Sequence, residues 1–318
     1  MSMEFIDRVS EKRGALMALA IMFVVVYHYK CWIGGFPWYI GSILKFGYIG
    51  VDIFFFLSGF GLACSFQKNN IRQFYKNRVI KILPCYFLYG VILLLNIAFQ
   101  GGMFTWFDVL YKFSTLEYTF RHGGIDWFMS AIIQLYLLFP LFFLFVKKFR
   151  IGAAMATFII VYALTAIHDF HWTHLALLQR LPMFVMGIYC YVFKNETIRI
   201  KCLVLFSCAF FLALCLFDDD KFGFMKTCCL TPVLLYVVTS KKTEKILDAI
   251  TMNKRIGGGN IAKNTLQIYY GTNLALLSYD WIDTNREVKT LIFLLALVFG
   301  SYFFHWITYE TSVFIKKI

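Results

Sequence analysis

The chain has 318 residues, 60% of them hydrophobic, 20% aromatic and 15% charged, with a mean hydropathy of +0.68 and a formal net charge of +13 at pH 7. That balance excludes a soluble globular domain, whose surface needs more polar side chains, and points to an integral membrane protein. The positive charge does not point to nucleic acid, because the cations are dispersed at the ends of apolar segments and no nucleic-acid-reading module accompanies them.

Apolar runs recur near residues 14–29, 46–66, 82–99, 126–146, 151–167, 175–193, 202–217, 222–239, 265–282 and 290–309. Each approaches the roughly 20 residues that a helix needs to cross the hydrocarbon core. The expected fold is an all-α, polytopic transmembrane helix bundle of about ten spans. With no long Pro/Ser linker, repeat or low-complexity tract, residues 1–318 read as a single integral membrane domain. Lysine and arginine gather in alternate connections, such as Arg8 to Arg13, Arg72 to Lys81, Lys147 to Arg150 and Lys241 to Lys263. By the positive-inside rule both termini are then cytoplasmic, and the chain is a multi-pass protein of the inner (cytoplasmic) membrane. The basic start and first apolar run mimic a signal peptide, yet HYKCW offers no small-residue cleavage site, so the segment is read as the first span. The nine cysteines lie mostly in apolar runs without CxxC spacing and read as small buried hydrophobes. The IGGGN run from Ile256 to Asn260 lacks the lysine and hydroxyl of a phosphate-binding loop and reads as a hinge.

In chain order, the first polar feature is the pair that bounds the first span, Arg13 at its start and His28 at its end. An ionisable group at membrane depth is costly and marks a functional site. The second run, GYIGVDIFFFLSGFGL from Gly47 to Leu62, carries Asp52 and glycines at 47, 50, 59 and 61, where another backbone or a ligand can approach closely. Opposite span directions bring Asp52 and His28 to similar depth. Asp52 is therefore expected either to orient the imidazole or to cap the backbone at its own helix start. Arg78 and Lys81 follow, three residues apart on one helix face, which suits an anionic group such as a phosphate and also suits an ordinary topology anchor. Pro84 is expected within the first turns of that helix, where a missing amide donor is tolerated. His168, His171 and His174, beside Asp169, read as exposed loop histidines, and no metal is expected.

The ordered set of motifs resembles the acyltransferase 3 family of membrane O-acyltransferases. The likeness is carried by Arg13 with His28, by GYIGVDIFFFLSGF, by Arg78 and Lys81 before Leu83-Pro84, by WFMSAIIQLYLLFP (Trp127 to Pro140), by QRLPMFVMGIY (Gln179 to Tyr189) and by NTLQIYYGTN (Asn264 to Asn273). Three positions depart from the family pattern. Met17 stands where the family usually has its first-span arginine. Arg13 lies one turn earlier, and fifteen residues at about 100° each leave it roughly 60° around the helix from His28, so the same broad face survives. Lys81 replaces the second arginine of RxxR, and Gly271 and Asn273 stand near where the family often carries a further histidine.

The resemblance implies transfer of an acetyl or similar acyl group from cytoplasmic acetyl-CoA to a hydroxyl of a cell-surface or lipid-linked polysaccharide. His28 would be the general base and Asp52 its partner, with Arg13, Arg78 and Lys81 on the donor phosphates and Trp127, Tyr136 and Arg180 on the acceptor. The expected partners are the glycan acceptor and membrane lipids. The connection from Gln100 to Asp126, with its aromatics and Glu117, Arg121 and His122, is either the sugar-facing surface or an interfacial belt. The rival class is a proton-coupled transporter or flippase of a polar or glycan substrate, in which His28 and Asp52 would relay protons.

Overall fold

The computed structural model describes residues 2–216, 220–240, 243, 258–279 and 285–317, and the regular structure among them is helical throughout. An amphipathic α1 (Ser2–Glu11) precedes α2 (Arg13–Ile33), and a short α3 (Trp38–Lys45) leads through a tight turn into α4 (Ile49–Lys68). Then come α5 (Ile71–Phe99), the short α6 (Trp106–Phe113) and α7 (Leu116–Arg121), α8 (Trp127–Phe149) and α9 (Ile151–Ile167). Next are α10 (Trp172–Leu178), α11 (Leu181–Val192), α12 (Thr197–Leu216) and α13 (Gly223–Val238). The chain closes with α14 (Gly258–Lys263), α15 (Thr265–Tyr279) and the long α16 (Arg286–Lys317).

As far as they are described, the apolar runs of the sequence lie in helices, but these are not alike in length. Among the described residues eight helical segments are long and apolar enough to cross a membrane, rather than ten. The run around 151–167 falls short, with 17 helical residues in α9, and that around 265–282 has 15 helical residues in α15 before it passes out of the described residues. The outer faces of the long helices stay apolar: Leu137, Leu141 and Leu144 of α8 and Leu291 and Leu294 of α16 are exposed, as lipid contact requires. Two expectations shift. Helix α5 starts at Ile71 because the Asn70 side chain caps it by accepting from the Gln73 amide, so Pro84 lies in the helix interior rather than in its first turns. The IGGGN run is helical from Gly258 onward, while Ile256 and Gly257 lie outside the described residues.

Helix crossings are set by small residues. A Cβ at Gly50 would run into the Ala20 carbonyl of α2, and one at Gly59 into the Phe184 carbonyl of α11, so α4 is wedged between these two backbones. Gly187 of α11 meets the Phe56 carbonyl in return. Around this crossing Phe55, Phe56 and Phe184 are fully buried.

Candidate active site

Two of the cavities in the described bundle share a wall. The smaller, about 100 Å³, is lined by Arg13 and Met17 of α2, Ser58 of α4, Arg78 and Lys81 of α5 and Tyr136 of α8. Arg13 and Met17 stand one turn apart on α2, so the shifted arginine still faces this cavity. Its guanidinium lies against Gly61, where a Cβ would collide with it; the glycine makes room for the cation. Arg13, Arg78 and Lys81 are close enough to repel one another electrostatically. Among the described residues none of the three has a carboxylate partner. The Nε atoms of Arg13 and Arg78 are buried without an acceptor. Three converging cations with no counter-charge raise the free energy of the empty site, and an anion relieves both the repulsion and the desolvation.

The larger cavity, about 490 Å³, is lined among others by His28 of α2, Asp126 and Trp127 at the start of α8, Arg180 and Asn273. His28 meets the Tyr27 ring edge-on at 5.5 Å, and among the described residues it has no hydrogen-bond partner. Phe54, Phe128 and Tyr269 line both cavities. A molecule held in the first cavity is therefore separated from the histidine cavity by a wall one side chain thick.

Asp52 does not meet His28. It is fully buried, and Arg180 Nε lies 3.1 Å from its Oδ1. The reason is helical phase: Gly50 faces α2, and Asp52, two residues on, points about 200° away, toward the Arg180 corner. Arg180 is itself clamped. It donates to the Ala176 carbonyl at 2.9 Å and lies over the rings of Phe224 and Trp127 at 4.4 and 5.8 Å. Of the three expected acceptor residues, Trp127 and Arg180 line the histidine cavity and Tyr136 lines the basic one.

Within the connection from Gln100 to Asp126, Glu117 pairs with Lys112 at 2.9 Å and Arg121 lies over the Tyr111 ring at 5.0 Å. His122 instead reaches the histidine cavity, with His171 and His174 rings each 4.5 Å away. Partial desolvation, and then the His174 and His171 imidazoles, hold His122 below the ordinary histidine range. His168 packs apart against Phe170. Among the described residues there is no metal-holding cluster.

Sequence reasoning assigns no role to Asp126 or Tyr269, whose hydroxyl donates to Asp126 Oδ1 at 2.7 Å. The one available signal is a carboxylate directly before an apolar run, and capping already accounts for that.

The comparison with known families agrees with this architecture: residues 15–309 match the family model of the acyltransferase domain. The chain belongs to the acyltransferase 3 family and is a multi-pass membrane acyltransferase. No curated protein and no solved structure matches it.

Proposed function

We propose that the protein moves an acetyl group from cytoplasmic acetyl-CoA to a hydroxyl of a cell-surface or lipid-linked polysaccharide. The observation that carries this reading is the adjacency of two unlike cavities, one ringed by cations that lack a counter-charge among the described residues and the other holding a histidine that has no hydrogen-bond partner among them. Phosphate groups are the anions that such a cation set suits, since Arg and Lys make charge-assisted hydrogen bonds to their oxygens. With the phosphates at Arg13, Arg78 and Lys81, the slim pantetheine arm leads the thioester toward the shared wall. Once the wall parts to admit the thioester, His28 takes the proton of the acceptor hydroxyl as its oxygen bonds to the thioester carbonyl carbon. The C–S bond then breaks, and the departing thiolate receives that proton. An imidazole with no hydrogen-bond partner among the described residues suits this exchange. The chain lies in the cytoplasmic membrane with both termini inside, so that the basic cavity meets cytoplasm and the histidine cavity meets the acceptor.

Sealed vesicles of known orientation test this. Labelled acetyl-CoA supplied on the cytoplasmic side is expected to acetylate glycan confined to the other side, and supplied on the outer side it is expected to give none. Transfer only with both substrates on one face would refute the through-membrane geometry. Movement of unmodified glycan without acetylation would make the protein a transporter.

A further inference from the structure

The wall between the cavities consists of Phe54, Phe128 and Tyr269, and they are not held alike. Phe54 rests against Phe128, and Phe128 against Tyr269, with ring centroids 6.3 and 5.2 Å apart. Tyr269 has in addition its hydrogen bond to Asp126 Oδ1. That same oxygen accepts from the Phe128 backbone amide at 3.1 Å, so the carboxylate that caps α8 also ties Tyr269 to the helix start beside Phe128. Capping alone would be met by Ser, Thr or Asn. A carboxylate that is only 8% exposed is a costly way to cap a helix unless it serves a second purpose.

The chemistry supplies that purpose. An imidazole base beside a thioester activates water as well as it activates a sugar hydroxyl, and a cavity of about 490 Å³ admits water before it admits acceptor. In hydrolysis the water oxygen bonds to the carbonyl carbon, the C–S bond breaks with its electron pair going to sulfur, and the water proton passes through His28 to that sulfur. The products are acetate and free CoA. Transfer prevails only where the thioester is kept dry.

We propose that Asp126, by holding Tyr269 in the shared wall, is a positioning residue that keeps the wall shut on the thioester until acceptor has displaced water from the histidine cavity, and so sets specificity for a hydroxyl acceptor over water. The inference rests on the acyl-CoA reading above.

Tyr269→Phe keeps the ring and removes the tie; Asp126→Ser keeps a cap but is too short to reach Tyr269. With acetyl-CoA and the acceptor glycan, the ratio of acetate released to acetyl transferred is expected to rise about tenfold in each variant. A merely structural role lowers both products together, and an unchanged ratio in folded variants overturns the proposal. A second measurement needs no turnover. Ser58 lines the basic cavity behind the wall, so in a Cys31→Ser background Ser58→Cys is expected to react slowly with a membrane-impermeant thiol reagent added on the His28 side. Adding Tyr269→Phe is expected to speed that reaction about tenfold, above the background of the same chain with Ser58 intact. An equal rate overturns the proposal. Wild-type protein that neither transfers nor hydrolyses acetyl-CoA would sink the acyl-CoA reading instead, and the labelling rates would still decide whether Asp126 holds the wall.

Discussion

Arg180 and the trio of Arg13, Arg78 and Lys81 are all cations drawn into an apolar bundle, yet their surroundings are opposite. Arg180 has a carboxylate at 3.1 Å, a carbonyl at 2.9 Å and an aromatic ring 4.4 Å above it. The trio has cavity on one side and, among the described residues, no carboxylate on the other. A buried charge that is already paired is part of the scaffold. A buried charge left unpaired is part of a binding site, because only a ligand completes it.

The strongest way to sharpen that contrast is at His28, the unengaged group of the second cavity. His28→Ala is expected to lower acetyl transfer by about 10² to 10⁴ while melting temperature and membrane insertion stay as in the wild type. Transfer near the wild-type rate in a folded variant would remove the base assignment. Arg180→Ala is expected to do the reverse. Leaving Asp52 buried and unpaired costs about 3 to 5 kcal/mol, seen as a lowered melting temperature and poor yield. Restored folding in the double variant Asp52→Asn with Arg180→Met would locate the cost in the lone charge. If Asp52→Asn alone folds normally yet loses transfer as fully as His28→Ala, the pair is more than scaffold and the contrast breaks.

A third effect is expected in the basic cavity. Arg13→Ala, Arg78→Ala and Lys81→Ala should each raise the KM for acetyl-CoA about tenfold, with the acceptor KM unmoved, since a charge-assisted contact to phosphate is worth about 1.5 to 3 kcal/mol and acts on the donor alone. Titration of each variant with acetyl-CoA at saturating acceptor checks this. Equal donor affinity would return these residues to the role of topology anchors.

How much of this was open to the sequence follows from what each signal depends on. Hydropathy is a local property, so each apolar run marked a helix. Face is nearly local, so Arg78 and Lys81 fell together and Gly50 and Gly59 marked close crossings. Partnership is not local. Asp52 was legible as a buried carboxylate, but which of its neighbours it meets depends on how α4 is rotated between α2 and α11, and that is decided by Gly50 and Gly59 meeting backbone on opposite sides. Depth was misjudged at α5 for a related reason: the Asn70 cap extends the helix beyond the apolar run, and Pro84 becomes interior. Asp126 was hidden because a capping carboxylate looks the same whether or not a distant tyrosine binds it.

The smallest expected effect separates two residues of the connection before α8 that the sequence treats as equals. Glu117 is spent on Lys112, with both side chains mostly covered, whereas His122 faces the histidine cavity. His122 is held below the ordinary histidine range, so near neutral pH its ring is uncharged and can give or take one hydrogen bond. Such a contact to a sugar hydroxyl is worth about 1 kcal/mol, so His122→Ala is expected to raise the acceptor KM about fivefold and leave the acetyl-CoA KM alone. Glu117→Gln, which keeps the shape and loses only an ion pair away from the cavity lining, is expected to leave both within about twofold. Steady-state titration of each substrate in turn reads the difference. If Glu117→Gln moves the acceptor KM as much as His122→Ala does, the acceptor rests on the whole aromatic connection rather than on the part that enters the cavity.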